Sequence, residues 1–318
     1  MLKRALVLGC LALTPTPAFS CPMFEYDWVR HEGGPVLRDQ IVNEQYEAAS
    51  DPHVFLDDEG RKLMIYSGDD QDEIAIKLAY GHSWTEWQIL GTLLGKSQGH
   101  DLPVSKETAF YFKAPNGQHQ IYFIGYNDQE NYDAEVYLAQ ASAVNGPYVI
   151  KPEPVVPRGL LAGKQVEVIT SPSVVEHEGT LYMSFLAWDA FQDVSEVWVL
   201  GAVSHDNGES WGDYREVTVP IGMEGQITKL ADGSFVAVRT WEHEGEEAIM
   251  IACADHPFGP YEEREEPILE MMPGDPFETD ELIAAQITID PATGKPLLYY
   301  AGAIHAAGWW IMQARGER

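Results

Sequence analysis

Acidic and polar residues open five similar segments of this chain. Asp51, Glu107, Ser171 and Glu224 begin four of them, and the fifth begins near Ala285. Each segment continues as a short strand pattern, a Gly-containing turn and an aromatic-rich second strand pattern. If the segments form equivalent structural units, their three carboxylates come close together. Clustered carboxylates can serve as a general acid and a general base.

The spacing of these segments predicts the fold. Their first residues are about 53 to 64 residues apart. A period of this size, with several short strands per unit, is typical of a β-propeller, because one such sheet cannot bury both of its faces alone. Five units predict an all-β, five-bladed β-propeller. We expect one end of its central channel to be lined by Asp51, Glu107, Ser171, Glu224 and Gln286.

The third segment shows the layout of one blade. Alternation of apolar and polar residues predicts strands at Ser171–Glu176, Thr180–Trp188, Glu196–Ser204 and Trp211–Val217. Residues 204–211 fit the Asp-box pattern Ser-x-Asp-x-Gly-x-x-Trp, a hairpin turn in which the Asp caps backbone donors. This turn favours a propeller and has no chemical role.

The first twenty residues resemble a secretory signal. Lys3 and Arg4 precede an apolar stretch at Ala5–Leu13, and residues 18–20 form a small-x-small cleavage site. We therefore expect residues 1–20 to be removed, residues 21–318 to form a single propeller domain, and the protein to be secreted or periplasmic. Residues 22–48 can supply either an extra strand that closes the ring or a lid over the channel.

Two cysteines follow the predicted signal, Cys21 and Cys253. Export permits a disulfide between them, but a buried thiol and an exposed terminal thiol are an equal alternative. The position of Cys21 also leaves a lipoprotein as the alternative to a freely exported protein. The spacing does not match a zinc site, and no cofactor is expected. A calcium ion in the channel has no sequence support.

The charge balance restricts the partners of the protein. Its 50 acidic and 20 basic residues give a formal net charge of −30 at pH 7. Such a surface repels nucleic acids and anionic lipids. We expect no nucleic-acid partner, no membrane contact unless Cys21 is lipidated, and a neutral rather than polyanionic substrate.

Polar and aromatic side chains are predicted at the same end of the channel as the carboxylates. The connections between second and third strands should lie there, because they share that face with the starts of the inner strands. Aromatic rings beside carboxylates suit a sugar, since rings stack on its C–H faces and polar groups bind its hydroxyls. Packing between blades is the alternative role for these rings. The predicted sugar-binding residues are His53, Ser171, Trp188, Trp241, Gln286 and His305, with Tyr126, Tyr132, Phe191 and Trp309 nearby.

Two short motifs resemble glycoside hydrolase family 43 and its five-bladed relatives. Residues 49–55 (Ala-Ser-Asp-Pro-His-Val-Phe) are similar to the first-blade Asp-Pro motif, in which the Asp is the general base. Residues 224–229, with Gly233 downstream, are similar to the fourth-blade Glu-Gly-Pro motif, in which the Glu is the general acid. The resemblance implies a sugar substrate and hydrolysis with inversion, with Asp51 as base and Glu224 as acid.

The chain departs from the pattern of this family in the third blade. Ser171 stands where the family has an Asp that orients the acid, and a serine supplies no charge. Glu107 is the main candidate to replace that carboxylate, and Glu167 is a weaker one. The leading hypothesis is an exported inverting glycosidase. A non-catalytic carbohydrate-binding propeller is the alternative, and glycosyl transfer or phosphorolysis is a weaker third.

Overall fold

The computed structural model describes most of the chain. The described ranges are 21–39, 47–70, 73–95, 102–127, 132–192, 194–219, 225–243, 246–272 and 274–318. At residues 241–243 and 246 only the backbone is described. Within these ranges a short 3-10 helix, Pro22–Glu25, is the only helix, and the remaining regular structure consists of strands.

The strands form five blades, each built of antiparallel strands, and the sheets of blades 1 and 5 are joined edge to edge. Strand β1 (Asp27–Arg30) follows the helix. Blade 1 contains β2 (Glu47–Leu56), β3 (Lys62–Asp69), β4 (Ile74–Gly81) and β5 (Trp87–Leu94). Blade 2 contains β6 (Ser105–Lys113), β7 (His119–Tyr126), β8 (Glu135–Ala141) and β9 (Val149–Ile150). A hairpin of β10 (Gly159–Leu161) and β11 (Lys164–Val166) leads to blade 3, which contains β12 (Val168–His177), β13 (Thr180–Trp188), β14 (Val197–Ser204) and β15 (Gly212–Glu216).

The last two blades complete the ring. Blade 4 contains β16 (Ile227–Lys229), β17 (Phe235–His243) and β18 (Glu246–Ala254), with β19 (Glu262–Glu263) and β20 (Leu269–Glu270) both paired to β18. Blade 5 contains β21 (Glu281–Ile289), β22 (Pro296–Ile304) and β23 (Gly308–Glu317). The predicted all-β, five-bladed propeller is confirmed. The predicted strands of blade 3 agree with the observed ones within three residues at each end.

The N-terminal segment closes the ring. Strand β1 pairs antiparallel with β23 and becomes the fourth strand of blade 5, with Asp27 opposite Glu317. The start of β2 pairs in parallel with β23, so that Glu47 lies opposite Gly308. Blade 5 is therefore built from both ends of the described chain. Of the two alternatives for residues 22–48, the structure contains the closing strand, while residues 40–46 lie outside the described ranges.

The hydrophobic core is divided among the junctions between blades. Each of the five pairs of adjacent blades shares at least one cluster of buried side chains. Between blades 5 and 1, for example, Tyr299 and Ile311 pack with Met64 and Tyr66. A sheet with two apolar faces thus has a neighbour on each side, which is why the five repeats fold as one closed ring.

A β-bulge marks the channel end of four inner strands. The register breaks after Ser50 in blade 1, after Glu107 in blade 2, after Thr170 in blade 3 and after Ile283 in blade 5. The residue that follows each break has a left-handed backbone, a conformation that costs a non-glycine residue about 1–2 kcal/mol. These residues are Asp51 (φ 50), Thr108 (φ 45), Ser171 (φ 52) and Ala284 (φ 55).

Further predicted features can be compared with the structure. Cys21 and Cys253 form a disulfide that ties the N-terminal segment to β18 of blade 4. The predicted Asp box is confirmed, since Asp206 accepts hydrogen bonds from Ser204 and from both the backbone and the hydroxyl of Ser210. In the described part of the chain we find no helix with the length and apolar character needed to cross a membrane.

Candidate active site

A cavity of about 360 Å³ lies beside the channel axis, at the end where the inner strands begin. Blades 1, 2 and 5 enclose it. Two carboxyl groups from neighbouring blades contribute to its wall: Asp51, which is buried, and Glu107, which is half-buried. The other residues that line it are Ala48, Ser50, Ser67, Gly68, Asp69, Ile74, Thr108, Ile283 and Trp309.

Asp51 is held by short-range hydrogen bonds. The Ser50 hydroxyl donates to Asp51 Oδ2 over 2.9 Å, and Ser67 and the Thr108 backbone also donate to the carboxylate. Burial raises the pKa of Asp51, although these three hydrogen bonds act in the opposite direction. The bulge at φ 50 fixes the direction of the side chain. Asp51 is therefore a fixed, desolvated carboxylate.

Glu107 is the second carboxylate of the cavity. Burial and, secondarily, the charge of Asp51 raise its pKa to about 7, against a hydrogen bond from Tyr132 that lowers it. The Tyr132 hydroxyl donates to Glu107 Oε1. Both carboxyl groups have a pKa raised above its ordinary value, so each keeps its proton to a higher pH than a carboxyl group in water does.

The channel axis is narrow where the blades meet. Asp51, Thr108, Ser171, Gln226 and Ala284, together with Gly225, surround a small pocket there. Each of the five blades contributes at least one of these residues. Ser171 supplies no charge, and its backbone N–H donates to Thr108 Oγ1 over 3.4 Å. The prediction that Asp51, Glu107 and Ser171 gather at one end of the channel agrees with their positions in the structure.

The register of the repeat differs from the predicted one in blades 2 and 5. The bulged position equivalent to Asp51 is occupied by Thr108 and Ala284, whereas the sequence analysis placed Glu107 and Gln286 there. Glu107 still reaches the cavity from the position before the bulge. Gln286 does not, because both ends of its amide bond the backbone of Val54 over 2.9 and 3.0 Å. Gln286 therefore joins blade 5 to blade 1, and its contact with a sugar stays a prediction.

His53 is also placed differently from the prediction. Its ring is 5% exposed, packs against Phe110 at 4.1 Å and donates from Nδ1 to Gln226 Oε1 over 2.9 Å. Burial lowers the pKa of His53 to about 4, so the ring is neutral near pH 7. His53 joins blade 1 to blade 4 across the axis. It packs between blades in this structure, and its contact with a sugar stays a prediction.

Three further residues that were predicted to bind sugar are not among the described residues that line the cavity. Trp188 is half-buried and its Nε1–H is enclosed by protein, so this group is not available to a sugar hydroxyl. His305 is exposed and pairs with Glu281 over 2.5 Å, and this hydrogen bond raises the pKa of its ring. Trp241 lies in β17, and its side chain is outside the described residues.

The predicted acid, Glu224, lies outside the described residues. The adjoining part of its motif is described. Gly225 forms a parallel bridge with Ala285, and a Cβ at Gly225 would lie 1.7 Å from the Val238 carbonyl oxygen. Only glycine fits at this close approach of two backbones. Lys229 bonds the backbone and carboxylate of Glu176 on blade 3, over 2.8 and 3.1 Å, and so links two blades.

Several cavity residues were not predicted from the sequence. Ser50 and Ser67 support Asp51, Asp69 adds a third acidic group to the wall, and Trp309 adds an aromatic ring. Ser50 directly precedes the Asp-Pro motif, and this position could have identified it as a cavity residue. Trp309 was noted only as a nearby aromatic, because the parallel pairing of β2 with β23 that brings it to blade 1 is a tertiary contact.

The cavity wall has an acidic character. Among its described lining residues are three carboxylates, and no lysine or arginine. Negative charge without a cation disfavours an anionic ligand. In the described part of the chain, no three His, Cys, Asp or Glu side chains are arranged to hold a metal ion.

The chain was compared with known proteins. No protein-family model and no curated protein sequence matches it. Solved structures do match. A thermostable family-43 glycoside hydrolase is 14% identical, with 85% of this chain and 89% of that chain covered and a TM-score of 0.65. An endo-arabinase from Bacteroides thetaiotaomicron VPI-5482 is 12% identical, with 88% and 95% covered and a TM-score of 0.66.

A third match comes from a protein with a different reaction. An N-acetylgalactosamine deacetylase from F. plautii, solved in complex with blood group B trisaccharide, is 12% identical, with 91% of this chain and 96% of that chain covered and a TM-score of 0.66. At these identities the likeness establishes the fold. The chain has the five-bladed architecture of the family-43 glycoside hydrolases, and its chemistry has to be argued from its own cavity.

Proposed function

We propose that this protein is a glycoside hydrolase that cleaves a neutral glycoside or oligosaccharide. The observation that carries the proposal is the pair of carboxyl groups, Asp51 and Glu107, in one cavity at the channel end of a propeller. Asp51 supplies a candidate base, and Glu107, whose pKa is raised to about 7, supplies a second carboxyl group that can hold a proton beside it. The fold, shared with solved glycoside hydrolases, supports the same reaction class.

In the proposed reaction Asp51 is the general base. It takes a proton from a water molecule as the water oxygen bonds to the anomeric carbon. The bond between that carbon and the departing oxygen breaks, and a carboxylic acid gives its proton to the oxygen. Glu224 is the proposed acid, on the strength of its motif. Attack by water opposite the departing group inverts the anomeric carbon.

Glu107 has a supporting role in this scheme. While protonated, it can donate a hydrogen bond to a sugar hydroxyl, and it adds no charge to the site. Once ionised, it stands beside Asp51 as a like charge and opposes the ionised form of that residue. The proposed active form contains ionised Asp51 and protonated Glu107, and it is lost as the pH rises through about 7, where Glu107 ionises.

A carbohydrate-binding protein without hydrolytic activity is the second candidate. Ser171 favours it, because this residue lies on the channel axis in the bulge position equivalent to Asp51 and carries no charge. An acid without a charged partner to orient it is a weaker catalyst. In this reading the cavity binds a sugar that is not cleaved.

Export is part of the proposal. The signal-like residues 1–20 support it, and so does a disulfide between Cys21 and Cys253, since disulfides persist in oxidising compartments. The sulfur of Cys21 is used in this bond, and a lipid anchor would need the same atom. We therefore favour a secreted or periplasmic protein without a lipid.

A substrate panel tests the proposed function. The purified protein is incubated with neutral xylo- and arabino-oligosaccharides, with oligosaccharides containing uronic acids, and with aryl glycosides. We expect release of sugar from a neutral member and slower release from its anionic counterparts. Proton NMR of the first product should show the inverted anomer. Binding of a neutral oligosaccharide without any release of sugar would support the non-catalytic candidate instead.

A further inference from the structure

An aromatic surface continues outward from Glu107 between blades 2 and 3. Tyr132 is the first ring, and its hydroxyl bonds Glu107. Phe191 is the outer ring, stacked on Tyr132 with the ring centres 5.1 Å apart and an interplanar angle of 28°. Tyr126 supports Tyr132 from the buried side, at 4.7 Å. We call Tyr132 and Phe191 the aromatic step.

The two ends of the aromatic step differ in burial. Tyr126 is 3% exposed and belongs to a buried cluster against which Tyr132 and Trp188 pack. Phe191 is 38% exposed, so part of its ring is not covered by protein. The inner part of the step is thus fixed by the core, while its outer ring offers apolar surface to solvent.

The backbone at Tyr132 adds a second observation. Tyr132 has a left-handed conformation with φ 42, which an aromatic residue rarely adopts. Strained backbone persists where the surroundings require it, and it is concentrated at functional sites. Here the strained residue is the one that contacts both Glu107 and Phe191.

We infer that the aromatic step binds a neutral sugar unit next to the one held in the cavity, and that Tyr132 positions Glu107. The inference deepens the proposed function and rests on it for the identity of the ligand. The outer face of Phe191 is the open end of this stack, and an aromatic face suits the C–H face of an uncharged sugar ring. The Tyr132 hydroxyl bonds Glu107 of the cavity wall, so an oligosaccharide that occupies the cavity could extend toward Phe191.

The two residues of the aromatic step have separable roles. Phe191 offers a ring face and no polar atom, so its removal should weaken binding of oligosaccharides and leave single-sugar ligands unaffected. Tyr132→Phe keeps the ring and removes the hydroxyl. That hydroxyl lowers the pKa of Glu107. Its loss should therefore raise the pH at which Glu107 loses its proton, while the variant still binds oligosaccharides. Glu107 also faces Asp51 and Asp69 in the cavity and Tyr126 beside Tyr132, and none of these groups is changed by the substitution.

The test measures binding and cleavage separately. Isothermal titration calorimetry with xylo- and arabino-oligosaccharides, from disaccharide to hexasaccharide, is performed on wild type, Phe191→Ala, Tyr132→Phe and Leu160→Ala. Leu160 is a matched control, because it is an apolar residue 72% exposed on a separate hairpin. We expect Phe191→Ala to lose about 3- to 10-fold in affinity for the longer ligands, and Leu160→Ala to bind like wild type.

The outcomes distinguish this inference from the proposed hydrolysis. If wild type binds an oligosaccharide without cleaving it and Phe191→Ala binds it more weakly, sugar binding by the aromatic step is supported and the proposed hydrolysis is refuted. If wild type cleaves an oligosaccharide and Phe191→Ala binds and cleaves it equally well, sugar binding by the aromatic step is refuted and the proposed hydrolysis is supported. If cleavage by Tyr132→Phe depends on pH as cleavage by wild type does, Tyr132 does not position Glu107. If wild type binds none of the oligosaccharides, the sugar site itself is wrong.

Discussion

At the scale of single residues, the environment of Glu107 links chemistry to stability. A carboxyl group that is buried beside another carboxylate is easier to keep protonated, and its pKa rises from 4.5 to about 7 on folding. Between these two values the folded protein holds a proton that the unfolded chain has lost. The contribution of Glu107 to the free energy of unfolding therefore falls as the pH rises from 4.5 to about 7. His53, whose pKa is lowered to about 4, makes a contribution of the opposite sign, which rises between about pH 4 and its ordinary pKa of 6.5.

Glu107→Gln should remove this loss. We expect the variant to be more stable than wild type at pH 8, by at most about 3 kcal/mol, and the two to be similar near pH 4. Denaturant unfolding at several pH values measures the difference. Glu265→Gln, a change at an exposed carboxylate, is the matched control and should follow wild type. A Glu107→Gln variant that loses stability with pH as wild type does would contradict the assigned environment.

Residue positions could be predicted where a motif stated them, but not where a one-residue shift decided them. The Asp-Pro motif indicated Asp51, and the sequence predicted the whole Asp box. The bulges could not be predicted, since an extra residue in a strand leaves the alternation of apolar residues nearly unchanged. The repeat therefore predicted Gln286 at the axis, where the structure has Ala284. His53 was assigned to the sugar because its stacking on Phe110 depends on a neighbouring blade.

At the scale of elements, the start of each inner strand determines the site. The bulges turn Asp51, Thr108, Ser171 and Ala284 toward the axis, and hydrogen bonds between neighbouring strands hold these starts together. Blade 4 uses a close backbone approach at the same level, where Gly225 lies against Val238. The bounds of the strands were predictable from the alternation of apolar and polar residues. The close contact between the Gly225 and Val238 backbones was not, because it depends on how two strands pack.

Gly225→Ala tests the importance of this close contact with the Val238 backbone. The added methyl group would overlap the Val238 carbonyl oxygen, so blade 4 must shift. We expect a loss of about 1–3 kcal/mol in the free energy of unfolding. Gly212→Ala is the matched control, because a Cβ there meets no atom within 4 Å. Thermal unfolding of both variants measures the effect, and equal melting temperatures would show that the strand start is not tightly packed.

At the scale of the whole molecule, the ring is closed by non-local contacts. Strand β1 completes blade 5, and the Cys21–Cys253 disulfide fastens the preceding segment to blade 4. The periodicity of the sequence predicted the number of blades, because each blade repeats the same local pattern. It did not choose between a closing strand and a lid, or between a disulfide and two thiols, since these depend on contacts between distant residues.

The disulfide should contribute to stability rather than to catalysis. It joins residues 232 positions apart, and a cross-link over such a long loop can stabilise a protein by up to about 5 kcal/mol. We expect a Cys21→Ser/Cys253→Ser double variant to unfold at lower denaturant concentration and to retain the specific activity of wild type. Dithiothreitol should destabilise wild type and leave the double variant unchanged. If dithiothreitol has no effect on wild type, the disulfide does not stabilise the protein as described.

The most direct test of the proposed active site is the turnover of Asp51→Asn on the best neutral substrate. General base assistance contributes about 10²–10⁴-fold to rate, so kcat should fall by that factor. Affinity for the same sugar, measured by calorimetry, should stay close to that of wild type. Asp58→Asn, at a carboxylate 67% exposed on the surface, should keep full activity. An Asp51→Asn variant that folds, binds the sugar and cleaves it at the wild-type rate would contradict the assignment of this cavity as the site of hydrolysis.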